Sequence, residues 1–220
     1  MIREYIKEIK KFDVETAVII CYSTFILLLS IYFRGLHFIF PGQRFLNRLV
    51  VSGIIYGVSP FLIYFVFKKK PKDFGINFGD YKKWSKEIIV FYLIMVIILL
   101  IAFKYTNLKN IYPLSRRAAQ GFNHFLTYQL VQLFYMSMWE FFFRGFMLFG
   151  LEKKFGKASI LIQTIPFAIM HYRKPQLEAY GSIFAGIFLG IIGLRARSFL
   201  PCALLHFSVA LTADIIGIVL

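Results

Sequence analysis

The chain has 220 residues, 59% of them hydrophobic and only 17% charged, with 27 Phe and a formal net charge of +15. A soluble domain carries about 25% charged residues, so this composition excludes an ordinary water-soluble globule and describes an integral membrane protein. The positive balance does not describe a nucleic-acid binder: Lys and Arg lie between apolar runs, as membrane orientation requires, and no basic, aromatic-laced face stands outside them.

In chain order, seven apolar segments read as membrane elements: Val14–Phe33, Leu49–Phe67, Ile88–Phe103, Phe125–Leu151, Ala158–His171, Gly181–Leu194 and Leu200–Leu220. The fold class expected is therefore all-α, a polytopic transmembrane helical bundle of about seven segments. A bilayer takes about 20 residues to cross, so the third, fifth and sixth are short and are expected to be tilted or broken. The first apolar run is too long for a signal-peptide core and no small-residue cleavage site follows it, so it reads as an uncleaved span. Cys21 and Cys202 fall within apolar runs and read as buried thiols without a redox role.

The stretch "KKKPKDFGINFGDYKKWSKE" is the most water-soluble part of the chain. It divides a leading transmembrane pair with its basic loop, residues 1–86, from a core of residues 87–220 within one bundle. With the N-terminus inside, the cytoplasmic side collects Arg3, Lys7, Lys10, Lys11, the seven basic residues of 68–86, Lys153, Lys154, Lys157, Arg195 and Arg197. The outer side collects nine: Arg34, Arg44, Arg48, Lys104, Lys109, Arg116, Arg117, Arg173 and Lys174. That asymmetry predicts a cytoplasmic N-terminus. The short loops suit a prokaryotic plasma membrane.

Against this background "MSMWEFFFRGF" stands out, because Glu140 and Arg144 enter an otherwise apolar helix. Each ionised side chain at bilayer depth costs several kcal/mol, roughly 2.5–3.5 on insertion scales. Their i, i+4 spacing, acid first, allows them to neutralise each other, and a purely structural pair is one reading. His171 closes the fifth segment in "IPFAIMHYRKP", and His206 lies early in the seventh in "LPCALLHFSVALTAD". At 1.5 Å per residue, Glu140 and His171 lie roughly 20 Å, and His206 roughly 14 Å, from the cytoplasmic edge. An acid and two imidazoles at similar depth point to a hydrated polar pocket. A carboxylate beside an imidazole can take a proton from water, and a second imidazole can donate to the oxyanion formed when water attacks an amide. The same residue types also allow a divalent metal such as zinc, but the chain lacks HExxH spacing, so no cofactor is expected.

The three pieces resemble the CAAX protease and bacteriocin-processing family, which includes the glutamic-type intramembrane CAAX prenyl endopeptidases, or Abi family. Its pattern is EExxxR, then FxxxH, then HxxxN. "WEFFFRG" supplies Glu140 and Arg144, "FAIMH" supplies Phe167 and His171, and "HFSVA" supplies His206. The resemblance covers roughly Phe125 to Leu220 and marks the chain as a divergent member. It implies a helical membrane bundle with a buried site open to one side. It also implies proteolysis by a water activated between Glu and His, with the other His in the oxyanion hole. Two positions depart from the pattern: the first Glu, the family's water activator, is Trp139, and the Asn is Ala210.

Two acids are candidates for compensation. Glu178 follows His171 and Lys174 in a Pro-containing turn, where it can replace the missing acid or be an ordinary loop residue. Asp214, eight residues beyond His206, can orient that imidazole or mark the outer membrane boundary. The expected function is an intramembrane endopeptidase acting on a peptide or protein at the lipid bilayer. Glu140, His171 and His206 are its catalytic candidates, and Arg144, Glu178 and Asp214 are its support. The alternative is a catalytically inactive scaffold or immunity-type relative. A transporter is the third class, disfavoured by the lack of an internal repeat.

Overall fold

The structure is a computed structural model, and it describes residues 13–33 and 39–220. The basic residues Arg3, Lys7, Lys10, Lys11 and Arg34 of the orientation count lie outside the described residues. Among the described residues there is no strand. The helices are α1 (Val14–Tyr32), α2 (Arg44–Val66), α3 (Tyr81–Tyr105), α4 (Phe122–Glu140), α5 (Leu148–Phe155), α6 (Ser159–Ile169), α7 (Gln176–Ala196) and α8 (Leu200–Val219). A π-helical segment, Phe141–Met147, joins α4 to α5 without a break.

Five of these helices are long and apolar enough to cross a membrane: α1, α2, α3, α7 and α8. The fourth expected segment begins in α4, which has 19 residues but is too polar to be among the five, with Asn123, His124, Gln129, Gln132 and Glu140 along it, and continues through the π segment into α5. The fifth contains an 11-residue helix, too short to cross alone. The sixth begins earlier than expected, at Gln176, because Pro175 is the cap residue and Glu178 in the first turn complements the helix dipole. Glu178 is therefore helical, which corrects its expected place in a turn.

Each helix end has a local cause. Asp13 caps α1, its carboxylate accepting from the Thr16 hydroxyl at 2.9 Å. That bond holds the Asp13 carboxyl below its usual range. α7 ends with Arg197 in the left-handed region, φ +53°. Gly79, at φ +59°, passes so close to the Ala196 carbonyl that any β-carbon would collide with it.

The core gathers around the π segment. Phe142, Phe143, Phe146 and Leu151 are fully buried, with Tyr56 from α2, Ile19 from α1, Phe167 from α6 and Ile192 from α7 against them. Tyr56 meets Trp139 edge-on at 5.2 Å and Phe142 at 5.3 Å, which ties the leading pair to the site-bearing helix. α3 contributes little to this core: Ile89, Val90, Leu93, Ile97 and Ile101 remain exposed, as suits a face that meets acyl chains. Cys202 is buried as expected, but Cys21 is exposed on the outer side of α1, a correction to its reading as a buried thiol.

The soluble stretch between α2 and α3 is docked. Phe74 packs on Phe146 at 5.7 Å, Asn77 donates to the Arg197 carbonyl at 2.7 Å, and Phe199 N–H donates to the Gly75 carbonyl at 3.3 Å. A cleft of about 600 Å³ lies beside this loop, lined by Glu15, Lys69, Phe149, Glu152 and Arg197 among others. Its charges are engaged with one another, Lys69 with Glu15 and Arg197 with Glu152, both at 2.6 Å.

Candidate active site

Glu140 is the last residue of α4, and the backbone passes into π geometry at the next position. Such segments recur where a helix must re-aim side chains. Here one carries Arg144, whose Nη1 lies 3.3 Å from Glu140 Oε1 and 3.1 Å from Oε2. Both side chains are wholly buried. The guanidinium sits over the Phe167 ring at 4.0 Å, and its Nη2 donates to the Gly186 carbonyl at 3.5 Å. Gln163 Nε2 donates to the same carbonyl at 3.0 Å. A cation in lipid is thus answered by a carboxylate, an aromatic face and a carbonyl.

α8 delivers His206. Its Nδ1 donates to Glu140 Oε1 at 2.6 Å. A carboxylate can only accept, so the proton of this bond belongs to Nδ1, and Nε2 is left on the far side of the ring. His171, just past α6, is held in the same way: its Nδ1 donates to the Phe167 carbonyl at 2.8 Å. That carbonyl belongs to the last helical turn and has no onward helical donor to satisfy it. Both imidazoles therefore keep Nε2 free for chemistry. The rings stack, centroids 6.4 Å apart and planes 23° from parallel, with Phe167 against each.

Trp139 takes the place of an acid beside this pair. Its ring meets His171 edge-on at 5.9 Å, and its buried Nε1 finds no hydrogen-bond acceptor among the described residues. The side chain of His206 keeps 19% of its surface exposed while Glu140 keeps none, so access to the site is by way of the imidazole.

The structure brings Glu140, Arg144, His171 and His206 together. The other two candidates make no direct contact with these four, although the Glu178 charge acts on His171. Glu178 accepts from the Tyr112 hydroxyl at 2.5 Å and pairs with Lys174 at 2.8 Å, so both its oxygens are engaged. Burial, then the Glu178 charge, holds the Tyr112 phenol well above its usual range, and it remains a donor. Asp214 accepts from Gln129 Nε2 at 3.0 Å, while the Nδ1 of His206 is held by Glu140. Three further polar residues lie outside the expected set: Gln163, which shares the Gly186 carbonyl with Arg144, and Gln129 and Tyr112, which hold Asp214 and Glu178. The two glutamines had a signal, being amides inside apolar runs; Tyr112, in a connecting loop, had none.

Among the described residues no group of three or more His, Cys, Asp and Glu side chains is arranged to hold a metal ion.

Residues 121–212 match the family model described as Rce1-like, type II CAAX prenyl endopeptidase. The matched segment contains Glu140, Arg144, His171 and His206, the residues that carry the resemblance. No curated protein and no solved structure matches the chain. With five helices of membrane-spanning length among the described residues, the chain is an integral membrane protein, and its residues 121–212 are similar to the type II CAAX prenyl endopeptidases.

Proposed function

We propose, taking the match of residues 121–212 to type II CAAX prenyl endopeptidases as premise, that the protein is an intramembrane endopeptidase that hydrolyses a peptide bond with a His-activated water. The substrate is a peptide or protein presented from the bilayer, and the N-terminus is cytoplasmic, as the basic-residue count favours. The observation that carries the reading is the 2.6 Å bond from His206 Nδ1 to a Glu140 fully buried against Arg144. Glu140 is the orienter. It fixes the His206 tautomer and stabilises the imidazolium, while Arg144 keeps the carboxylate charged.

His171 Nε2 is the base that takes a proton as water oxygen attacks the scissile carbonyl carbon. In its imidazolium form His206 keeps Nδ1–H on Glu140 and donates from Nε2–H to the oxyanion; the oxyanion then collapses, the C–N bond breaks, and the amine leaves with the proton that His171 took from water. The family's first Glu is Trp139 here, so the base role falls to the imidazole whose lone pair is already free. The test is cleavage of a peptide library by purified protein, read by mass spectrometry. His171→Ala and Glu140→Gln are each expected to lower cleavage by about 10²-fold or more. Cleavage retained in both variants overturns the assignment.

A second reading, a non-catalytic membrane scaffold or immunity-type relative, is favoured by one observation: Trp139 and Ala210 occupy two positions of the family's polar set. It predicts no cleavage of any library member by the wild-type protein, and altered partner capture in the same variants.

A further inference from the structure

Acidic residues are spread unevenly along the chain. From Thr16 to Lys72, and again from Ile88 to Trp139, there is no Asp or Glu. The consequence falls at the end of the bundle opposite the α2–α3 loop, where α2 starts, α3 ends and α7 starts. Arg44 and Arg48 on α2, Lys104 on α3, Lys109, Arg116 and Arg117 before α4, and Arg173 before α7 are all exposed. The acidic side chains that the described residues bring toward this end are already engaged. Glu178 is taken by Lys174 at 2.8 Å, and Asp214 is buried against Gln129. At the other end, by contrast, Glu15 takes Lys69, Glu87 takes Arg195 and Glu152 takes Arg197.

Membrane orientation does not account for these cations, because they lie on the side that the orienting bias leaves poor in Lys and Arg. Several of them are also held on one packed unit. The segment joining α3 to α4 buries Leu108, Tyr112 and Ala118, and the Tyr112 hydroxyl donates to Glu178 at the start of α7. Arg116 Nη2 donates to the Asn110 carbonyl, and Arg117 Nη2 lies 3.6 Å from where a β-carbon on Gly42 would stand. The Lys174 ammonium stands over the Tyr112 ring at 5.7 Å, while its backbone N–H donates to the His171 carbonyl at 2.9 Å. The cap that carries Lys109, Arg116 and Arg117 is thus fastened to the turn that carries His171. A basic surface with no exposed carboxylate attracts anions over about 8 Å at physiological salt. Such a field raises the encounter rate of an acidic partner by about tenfold or more.

We propose that this basic end docks an acidic segment of the polypeptide substrate, with the scissile bond next to that segment. The inference rests on the proteolytic reading and names the substrate class within it. A polypeptide fits better than a lipid headgroup for a positional reason. Lys109, Arg116, Arg117 and Arg173 stand in connecting segments, clear of the long helices that face acyl chains, and Arg173 follows His171 by two residues.

The test is binding of fluorescent peptides to the full chain carrying His171→Ala, in nanodiscs of zwitterionic lipid, read by polarisation. Matched peptides carry one apolar stretch followed by a run of Glu or a run of Lys. The Glu peptide is expected to bind about tenfold or more tighter at low salt. That preference is expected to shrink as added salt shortens the Debye length from about 30 Å to about 8 Å, and to be largely lost in Arg116→Gln/Arg117→Gln. Equal binding of the two peptides overturns the proposal, as does a preference unchanged in the double variant. Should that variant fail to fold, Lys109→Gln/Arg173→Gln decides by the same readout. A Tm that rises with anionic lipid while the two peptides bind alike assigns the surface to lipid and also overturns it. Cleavage by the wild-type protein separates the two readings. A Glu preference in binding without any cleavage removes the protease and keeps the docking surface; cleavage indifferent to acidic flanks removes the docking surface alone.

Discussion

Glu140 holds a guanidinium and an imidazole at once, and the two contacts make different demands. Arg144 requires a charge; His206 requires an acceptor in a fixed direction. Removing Arg144 leaves a buried carboxylate facing one imidazole, and breaking such a pair typically costs about 3–5 kcal/mol. Arg144→Met is therefore expected to be strongly destabilised, and Glu140→Gln/Arg144→Met less so than the sum of its singles. A double-mutant cycle on thermal unfolding checks this, and additive effects would contradict a coupled pair. Trp139 poses the opposite question: whether restoring the acid of the family pattern raises activity. Its ring packs against Tyr56, Phe143, Phe167 and His171. Trp139→Glu removes that packing and buries a second charge, so we expect a loss of about 3–5 kcal/mol and no gain in cleavage.

Helix length is the deciding quantity among the elements. α6 has 11 residues and a Pro at its eighth position, so it stops partway and leaves His171 beside the site. Its seating depends on α7. A β-carbon at Gly186 would lie 2.8 Å from Thr164 Cγ2 and 3.2 Å from the Phe167 ring. Thr is branched at Cβ and has little room to yield. Gly186→Val is therefore expected to push α6 away, disturb the Arg144 contact with the Gly186 carbonyl, and lower both Tm and cleavage, the latter by more than tenfold. Gly181→Val, one and a half turns earlier on the same helix, meets nothing within 4 Å and is expected to change neither. Equal effects at the two positions would mean that helix propensity, and not the α6–α7 approach, is being measured.

For the whole molecule, orientation is the property that charge dictates. Lys72 lies exposed in the α2–α3 loop and Arg117 lies exposed before α4, on opposite ends of the bundle as the topology runs. With Cys21 and Cys202 replaced, a cysteine at Lys72 is expected to react with an impermeant maleimide only after the membrane is opened, and one at Arg117 in intact cells. The reverse pattern would invert the orientation. Local order along the chain was enough to determine the helical class, the positions of most helices, and the Glu140–Arg144 pair, because periodicity and i, i+4 spacing are properties of near neighbours. The two histidines were visible as polar interruptions, and the motif order pointed to one family. What the chain order left open was which faces meet. The Asn77–Arg197 and Gln129–Asp214 bonds join residues 120 and 85 positions apart, and no local pattern encodes such pairings. The same holds for the π segment under Glu140, for the free Nε2 atoms of His171 and His206, and for the exposure of Cys21. Each follows from packing between helices, where apolar patterning says that a face is buried but only tertiary structure decides against what.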